Sequence, residues 1–325
     1  MANRWFVVGG AGFVGSHFVD QLLARADTER VTVLDNFVSG PTWHLAAHSS
    51  DARLEVVTAN VQDADALTGA MEGHDTVIHL ASNADIARAM TDPDVDFVEG
   101  TLLTRCVVEA MRITGASTIL YASGSGVYGD LGELEVPEDY GPLIPASTYG
   151  ASKLAGEALI AAYVAMFDLT GYAFRFGNVV GPRQTHGVGF DFVRRLLDDP
   201  AHLAILGDGT QSKSYIHISD VVRAVLLVHD MAPARFDAFN VATGDYATVR
   251  EIADISVEAV GLPAGSVEYE FSGGPRGWKG DVPVVRLNTD RIQALGWRCQ
   301  LGTHAALRRA GGELVAQARD GRLTT

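Results

Sequence analysis

Tyr149 and Lys153 stand four residues apart in Tyr149-Gly150-Ala151-Ser152-Lys153, a spacing that puts two side chains one above the other on a helix. A free phenol has a pKa of about 10 and is a poor base at neutral pH. An ammonium one turn away favours the phenolate, and a positively charged ring bound beside it would add to that. The pair could take a proton from a hydroxyl, but the same spacing also describes an ordinary surface pair on a helix. The start of the chain decides between these. Val7-Val8-Gly9-Gly10-Ala11-Gly12-Phe13-Val14-Gly15 runs a strand into glycines three apart and then into a helical pattern. Gly9 permits a tight turn, Gly12 lets the backbone approach a pyrophosphate, and Gly15 lets helix and strand pack closely. The anion then rests on the helix N-terminus. The next strand ends in Leu34-Asp35, 20 residues after Gly15. An acid there accepts hydrogen bonds from a ribose 2′-hydroxyl and repels a 2′-phosphate, so NAD is expected rather than NADP.

Those residues need a scaffold. The 325 residues, 47% hydrophobic and 20% charged, suffice for about two domains with a sizeable core. Short β-branched runs at 5–8, 31–34, 54–58, 76–80 and 118–121 alternate with helically spaced apolar segments at 12–24, 64–71, 101–112 and 149–167. Residues 172–176 read as a further strand, and 239–241 as one that returns to the sheet. The alternation predicts an α/β fold with a Rossmann-type doubly wound parallel sheet. Beyond 176 glycine and proline become frequent and helices short, so a smaller, interleaved C-terminal substrate lobe is expected. Residues 1–175 then form the dinucleotide domain, joined by about 212–244, and 176–211 with 245–325 form the substrate lobe.

Twenty-five Lys and Arg against 40 Asp and Glu give a net charge of −15, which argues against nucleic acid and anionic membrane as partners. Cys106 and Cys299 offer neither a disulfide framework nor metal-ligand spacing, so no metal and a reducing, cytoplasmic setting are expected. No apolar leader precedes Trp5, and the most apolar helical stretch, 154–167, is broken by Glu157, so neither secretion nor a membrane span is expected.

With Gly-Gly-Ala-Gly-Phe-Val-Gly at 9–15 beside Tyr149 and Lys153, the chain resembles the extended short-chain dehydrogenase/reductase superfamily. The likeness is to its NAD-dependent nucleotide-sugar epimerase/dehydratase branch, and within that to UDP-glucose (UDP-galactose) 4-epimerases. It spans nearly the whole chain, through His79-Leu80-Ala81-Ser82, Tyr121 to Gly129, Arg175 to Arg183, Lys213 to Asp220 and Arg276 to Pro283. The resemblance implies NAD contacts at Gly9, Gly12, Phe13, Val14 and Gly15, then Asp35, Asn36, Ser39 and Gly40. It adds Asn60 and Val61 beside the adenine, Leu80, Ala81 and Ser82 after the fourth strand, Tyr149, Lys153, Phe176 and Val179. It implies nucleotide-sugar contacts at Asn178, Val188, Leu206, Lys213 and Arg276, the two cations facing the diphosphate. A tightly held NAD, regenerated each turnover, and a homodimer formed through apolar residues of 102–111 and 154–166 are implied as well. His79 reads as a satisfied histidine at a strand end.

The family's Ser or Thr that hydrogen-bonds the reacting hydroxyl aligns with Gly124, between Ser123 and Ser125. Ser125 is the expected donor, because its flanking glycines let the turn re-aim it. Ser123, a backbone N–H or a water could serve instead, and Gly124 could simply make room for a substituent on the sugar. Ser125-Gly126 also stand where 4,6-dehydratases carry an Asp–Glu pair, the acid and base needed to expel the C6 hydroxyl and take the C5 proton. With neither group present, the expected reaction is 4-epimerisation of a nucleotide-diphosphate sugar, a UDP-hexose first among them. The C4 hydroxyl is transiently oxidised to a 4-keto intermediate and re-reduced from the opposite face. Two alternatives stay open: a nucleotide-sugar oxidoreductase (4-ketosugar reductase or dehydrogenase), and a non-catalytic NAD-sensing member.

Overall fold

A computed structural model describes residues 3–323. Seven strands, β1 (Asn3–Val8), β2 (Thr28–Asp35), β3 (Leu54–Thr58), β4 (Thr76–His79), β5 (Thr118–Gly124), β6 (Thr170–Phe176) and β7 (Phe236–Val241), form one sheet in the order β7-β6-β5-β4-β1-β2-β3. β1 pairs in parallel with β2 and β4, β2 with β3, and β4 with β5. This is the doubly wound α/β sheet expected from the alternation. The order reverses between β1 and β4, and in such sheets ligands bind outside the carboxyl ends of the strands at the reversal. The glycine loop leaves β1 there, and Leu80-Ala81-Ser82 leaves β4.

Four helices matter to the site: α1 (Phe13–Ala24), α2 (Ala64–Met71), α3 (Leu102–Thr114) and α4 (Thr148–Phe167). A π-helical turn, Phe97–Thr101, precedes α3. It brings Gly100 so close to α4 that a Cβ there would lie 2.7 Å from Ser152 Oγ.

The chain divides into two compact units. The first runs to Val127 and takes in Thr148–Arg175 and Val225–Phe239; the second holds Tyr128–Ser147, Phe176–Ala224 and the chain from Asn240 onward. The first unit's core packs Phe6, Val8 and Leu34 of the sheet against Leu67 and Met71 of α2, Val107, Val108 and Met111 of α3, and Ile160 and Val164 of α4. Each such side chain contributes about 1.5–3 kcal/mol when fully buried. Leu103, Val107, Val108 and Met111 are thus taken up by the core, whereas Ala158, Ala162 and Met166 of α4 stay exposed. In the second unit, Phe192 and Leu196 of helix Val188–Asp198, Ile252 of Val249–Val260 and Leu307 of Thr303–Arg319 share a separate core. Among the described residues no helix is long and apolar enough to cross a membrane.

Candidate active site

Gly9 has φ +80°, a conformation that strains any L side chain, and a Cβ on it would sit 2.9 Å from Ala81 N. The loops after β1 and β4 therefore meet backbone to backbone. At Gly15 a Cβ would run into the Gly9 carbonyl and lie 2.7 Å from Gly10 Cα, so α1 reaches the strand only as glycine. Gly12 caps α1 without a side-chain bond, and the amides of Phe13 and Val14 belong to the first turn, whose N–H groups a helix leaves for an anion.

Asp35 is buried, with Oδ2 accepting from Ala11 N at 2.9 Å and Oδ1 from Phe37 N at 2.8 Å. A carboxylate offers about four lone-pair positions, so each oxygen can still accept from a ribose hydroxyl. Burial pushes its pKa above the usual value, and backbone N–H donors oppose the rise. His44 Nδ1 donates to Ala11 O at 2.7 Å, and Gly40 packs so tightly on Ala11 that a Cβ would collide with its carbonyl. This cradle of glycine, helix amides and buried acid fits a dinucleotide. Asn36, Ser39 and Asn60 are exposed, Asn60 Oδ1 accepting from Gln62 N at 2.9 Å, and Val61 is buried.

On α4, Lys153 is 3% exposed, and its Nζ donates to Ala122 O at 2.9 Å. The ammonium lies 5.3 Å from the centre of the Tyr149 ring and 5.4 Å from that of Tyr121. Burial pulls Lys153 down to about 8, with Asp96 acting against it. Tyr149 is pushed up to about 12, first by burial and then by the charge of Asp96; a hydrogen bond from the Ser82 side chain opposes the rise. The close approach of α4 to β5 depends on Gly156, where a Cβ would strike the Tyr121 hydroxyl and lie 2.6 Å from its Cζ.

The structure brings Tyr149 and Lys153 together and turns Ser123 elsewhere. Ser123 Oγ donates to Glu157 Oε1 at 2.5 Å, and Glu157 Oε2 accepts from Arg175 Nη2 at 2.7 Å in a buried ion pair. Sequence reasoning took Glu157 only as a break in an apolar helix; the available signal was a lone charge inside each of two apolar runs. Ser125 opens the 3-10 turn Ser125–Tyr128, half-buried, and among the described residues its hydroxyl has no partner. A Cβ on Gly124 would meet nothing within 4 Å. His79 is buried, its Nε2 lies 3.1 Å from Thr104 Oγ1, and burial pulls it down to about 3, so it is neutral.

The residues expected at the nucleotide sugar, together with Phe176 and Val179, lie in the second unit. Lys213 Nζ donates to Asp281 Oδ1 at 2.6 Å. Arg276 donates to the Asp281 carbonyl and to Asp130 Oδ2, the latter at 2.6 Å. Both cations thus converge on Asp281, and Gly277 N donates to its Oδ2 at 3.0 Å. Asn178 belongs to a short strand (Asn178–Val180) that pairs with Tyr215–His217. Val188 opens its helix, and Leu206 is 57% exposed.

The NAD dependent epimerase/dehydratase family model matches residues 5–242. UDP-glucose 4-epimerase of Mycolicibacterium smegmatis is 35% identical over 306 residues, covering 92% of this chain and 94% of that protein. dTDP-glucose 4,6-dehydratase of an Actinoplanes species is 31% identical over 270 residues, covering 81% and 83%. A crystal structure of UDP-galactose 4-epimerase superposes with a TM-score of 0.84 at 34% identity, covering 97% of this chain and 99% of that one. DesIV, a dTDP-glucose 4,6-dehydratase of Streptomyces venezuelae solved with NAD bound, gives 0.89 at 29% identity, covering 98% of each.

Proposed function

This chain belongs to the NAD-dependent epimerase/dehydratase family, and from that premise we propose that it is a 4-epimerase of a nucleotide-diphosphate sugar, a UDP-hexose first. The observation that carries the choice over dehydration is Ser125-Gly126 in the turn that follows β5: neither can supply the acid or base that loss of water requires. Bound NAD supplies a reversible hydride acceptor for the sugar C4. Gly9, Gly12 and Gly15, the α1 amides of Phe13 and Val14, and Asp35 are the groups that would hold it.

In this reading Tyr149 takes the proton of the 4-hydroxyl and returns it after the face has changed. Lys153 favours the phenolate through its charge. Lys213 and Arg276 bind the diphosphate, exchanging carboxylate partners for phosphate oxygens. The exposed residues Ala158, Ala162 and Met166 on α4 support a homodimer, for which a monomer by light scattering at micromolar concentration is the opposing result.

The deciding experiment incubates purified protein, without added NAD, with UDP-glucose, UDP-N-acetylglucosamine, UDP-glucuronic acid and dTDP-glucose, and follows products by NMR. Inversion at C4 supports the proposal. A 4-keto-6-deoxy product would make the chain a dehydratase, and turnover that requires a stoichiometric nicotinamide would make it an oxidoreductase.

A further inference from the structure

We propose that Glu157, held by Arg175, is a positioning residue for Lys153: through Ser123 it fixes the Ala122 carbonyl on which the ammonium rests. This rests on the reading of Lys153 as the cation that serves Tyr149.

The first unit contains a buried chain of polar groups that the proposed reaction leaves unused. Arg175, near the end of β6, donates from Nε to Glu157 Oε1 at 3.0 Å and from Nη2 to Oε2 at 2.7 Å, with both side chains 6% exposed. A guanidinium fork on a carboxylate fixes direction as well as charge. Glu157 Oε1 also accepts from Ser123 Oγ at 2.5 Å, so a residue of β5 hangs from an ion pair anchored in β6. For stability alone, apolar side chains of similar size often serve a buried position as well or better. The use of this pair lies in what it places.

What it places is the end of β5. The ladder with β4 stops at Tyr121, opposite His79, and Ala122 and Ser123 extend past it. On α4, Lys153 and Glu157 are four residues apart and share a face. Their partners on β5 are adjacent: Lys153 Nζ donates to Ala122 O at 2.9 Å, and Glu157 accepts from Ser123. The two bonds run in opposite directions between one helix face and two consecutive strand residues. With Ser123 tied to Glu157, the carbonyl just before it is held in reach of an ammonium that lies 5.3 Å from the centre of the Tyr149 ring.

Arg175 has a second effect. A Glu four residues after a Lys on one helix is within reach of pairing with it. The fork occupies both oxygens of Glu157, and among the described residues Lys153 forms no ion pair. The other groups facing Lys153 are Tyr149 on its own helix, Tyr121 of β5, the neutral His79 of β4, and Asp96 ahead of the π-helical turn. A substitution at Ser123 leaves all of these and the Glu157–Arg175 pair in place, so it reads placement apart from charge.

The chain has three lysines, Lys153, Lys213 and Lys279, few enough to follow singly. The test labels lysine Cε with carbon-13 and titrates the purified protein with its NAD by NMR, Lys153→Met identifying the resonance, whose midpoint is expected at about 8. In Ser123→Ala that midpoint should fall by about half a unit or more, because a bond to the charged form is what raises it. Near the midpoint kcat should fall about threefold or more with KM little changed. Ser123→Thr, which keeps the hydroxyl, should restore both. A midpoint unmoved in Ser123→Ala overturns the proposal even if the melting temperature drops, since the bond would then be structural only. An equal shift in Ser123→Thr overturns it too, because the effect would follow packing and not the bond. The titration needs no substrate: a different sugar or reaction would change the kinetics and leave the midpoint shift standing.

Discussion

Lys153 and Lys213 are both drawn into the protein, yet they are compensated in opposite ways. Lys153 donates to a neutral carbonyl at 2.9 Å and, among the described residues, forms no ion pair; its pKa drops to about 8. Lys213 sits 2.6 Å from a carboxylate of Asp281, and Arg276 reaches Asp130 at the same distance. A cation whose field must act on a neighbouring phenol loses that effect if a carboxylate neutralises it. A cation kept for an anionic ligand needs an acid to hold its charge and direction until the ligand takes the acid's place. In the proposed reading, the contrast separates a group that tunes chemistry from groups that bind.

The sharpest way to break the contrast is Tyr149→Phe, which removes the partner on which Lys153 acts. kcat should fall by about 10²–10⁴ with NAD content unchanged, and retained turnover would remove the chemical role of the first centre. Lys153→Met comes next, with kcat at neutral pH down by about 10–100-fold but the melting temperature of the NAD-free protein up by a few degrees. The sign follows from protons bound. The folded pKa of about 8 lies below the usual lysine value of 10.5, so the unfolded chain holds more protons between those values. Stability contributed at this site therefore rises with pH across that window, and Lys153→Met should flatten the rise in pH-dependent melts. Lys213→Met should raise KM about tenfold with kcat little changed, as loss of a charged contact common to ground and transition states does; a fall in kcat alone would put Lys213 in the same class as Lys153. Arg276→Gln should have the smallest effect, a few-fold rise in KM, because its pair with Asp130 is more exposed.

Features that depend on local backbone demands were legible from the chain. The glycines at 9, 12 and 15 are required by close approaches within one turn, and Tyr149 with Lys153 by the pitch of one helix. The buried Asp96 carboxylate, which accepts from Asn83 Nδ2 and Thr148 Oγ1, was not, because its partners come from separated segments and the π-helical turn that begins after it is announced by no hydrophobic period. β5 continues past Tyr121 through Ala122-Ser123-Gly124, small residues of weak strand preference that the sheet carries along. In the second unit, Glu268–Phe271 pairs with His202–Ile205, and partners so distant in sequence leave no periodic trace.

Ala11 has a consequence for time rather than for geometry. Its N–H is tied to Asp35, its carbonyl to His44, and Gly40 closes against it. A loop whose shape is set before the ligand arrives loses little freedom on binding and regains little on release, so escape of the dinucleotide is not helped by loosening of the loop. That favours a long residence time, since affinity differences in such sites lie mainly in the off-rate. In a reaction that hands its cofactor back in the oxidation state it started from, slow exchange costs nothing per turnover. A molecule of NAD captured soon after synthesis could remain with its chain for the working life of the protein.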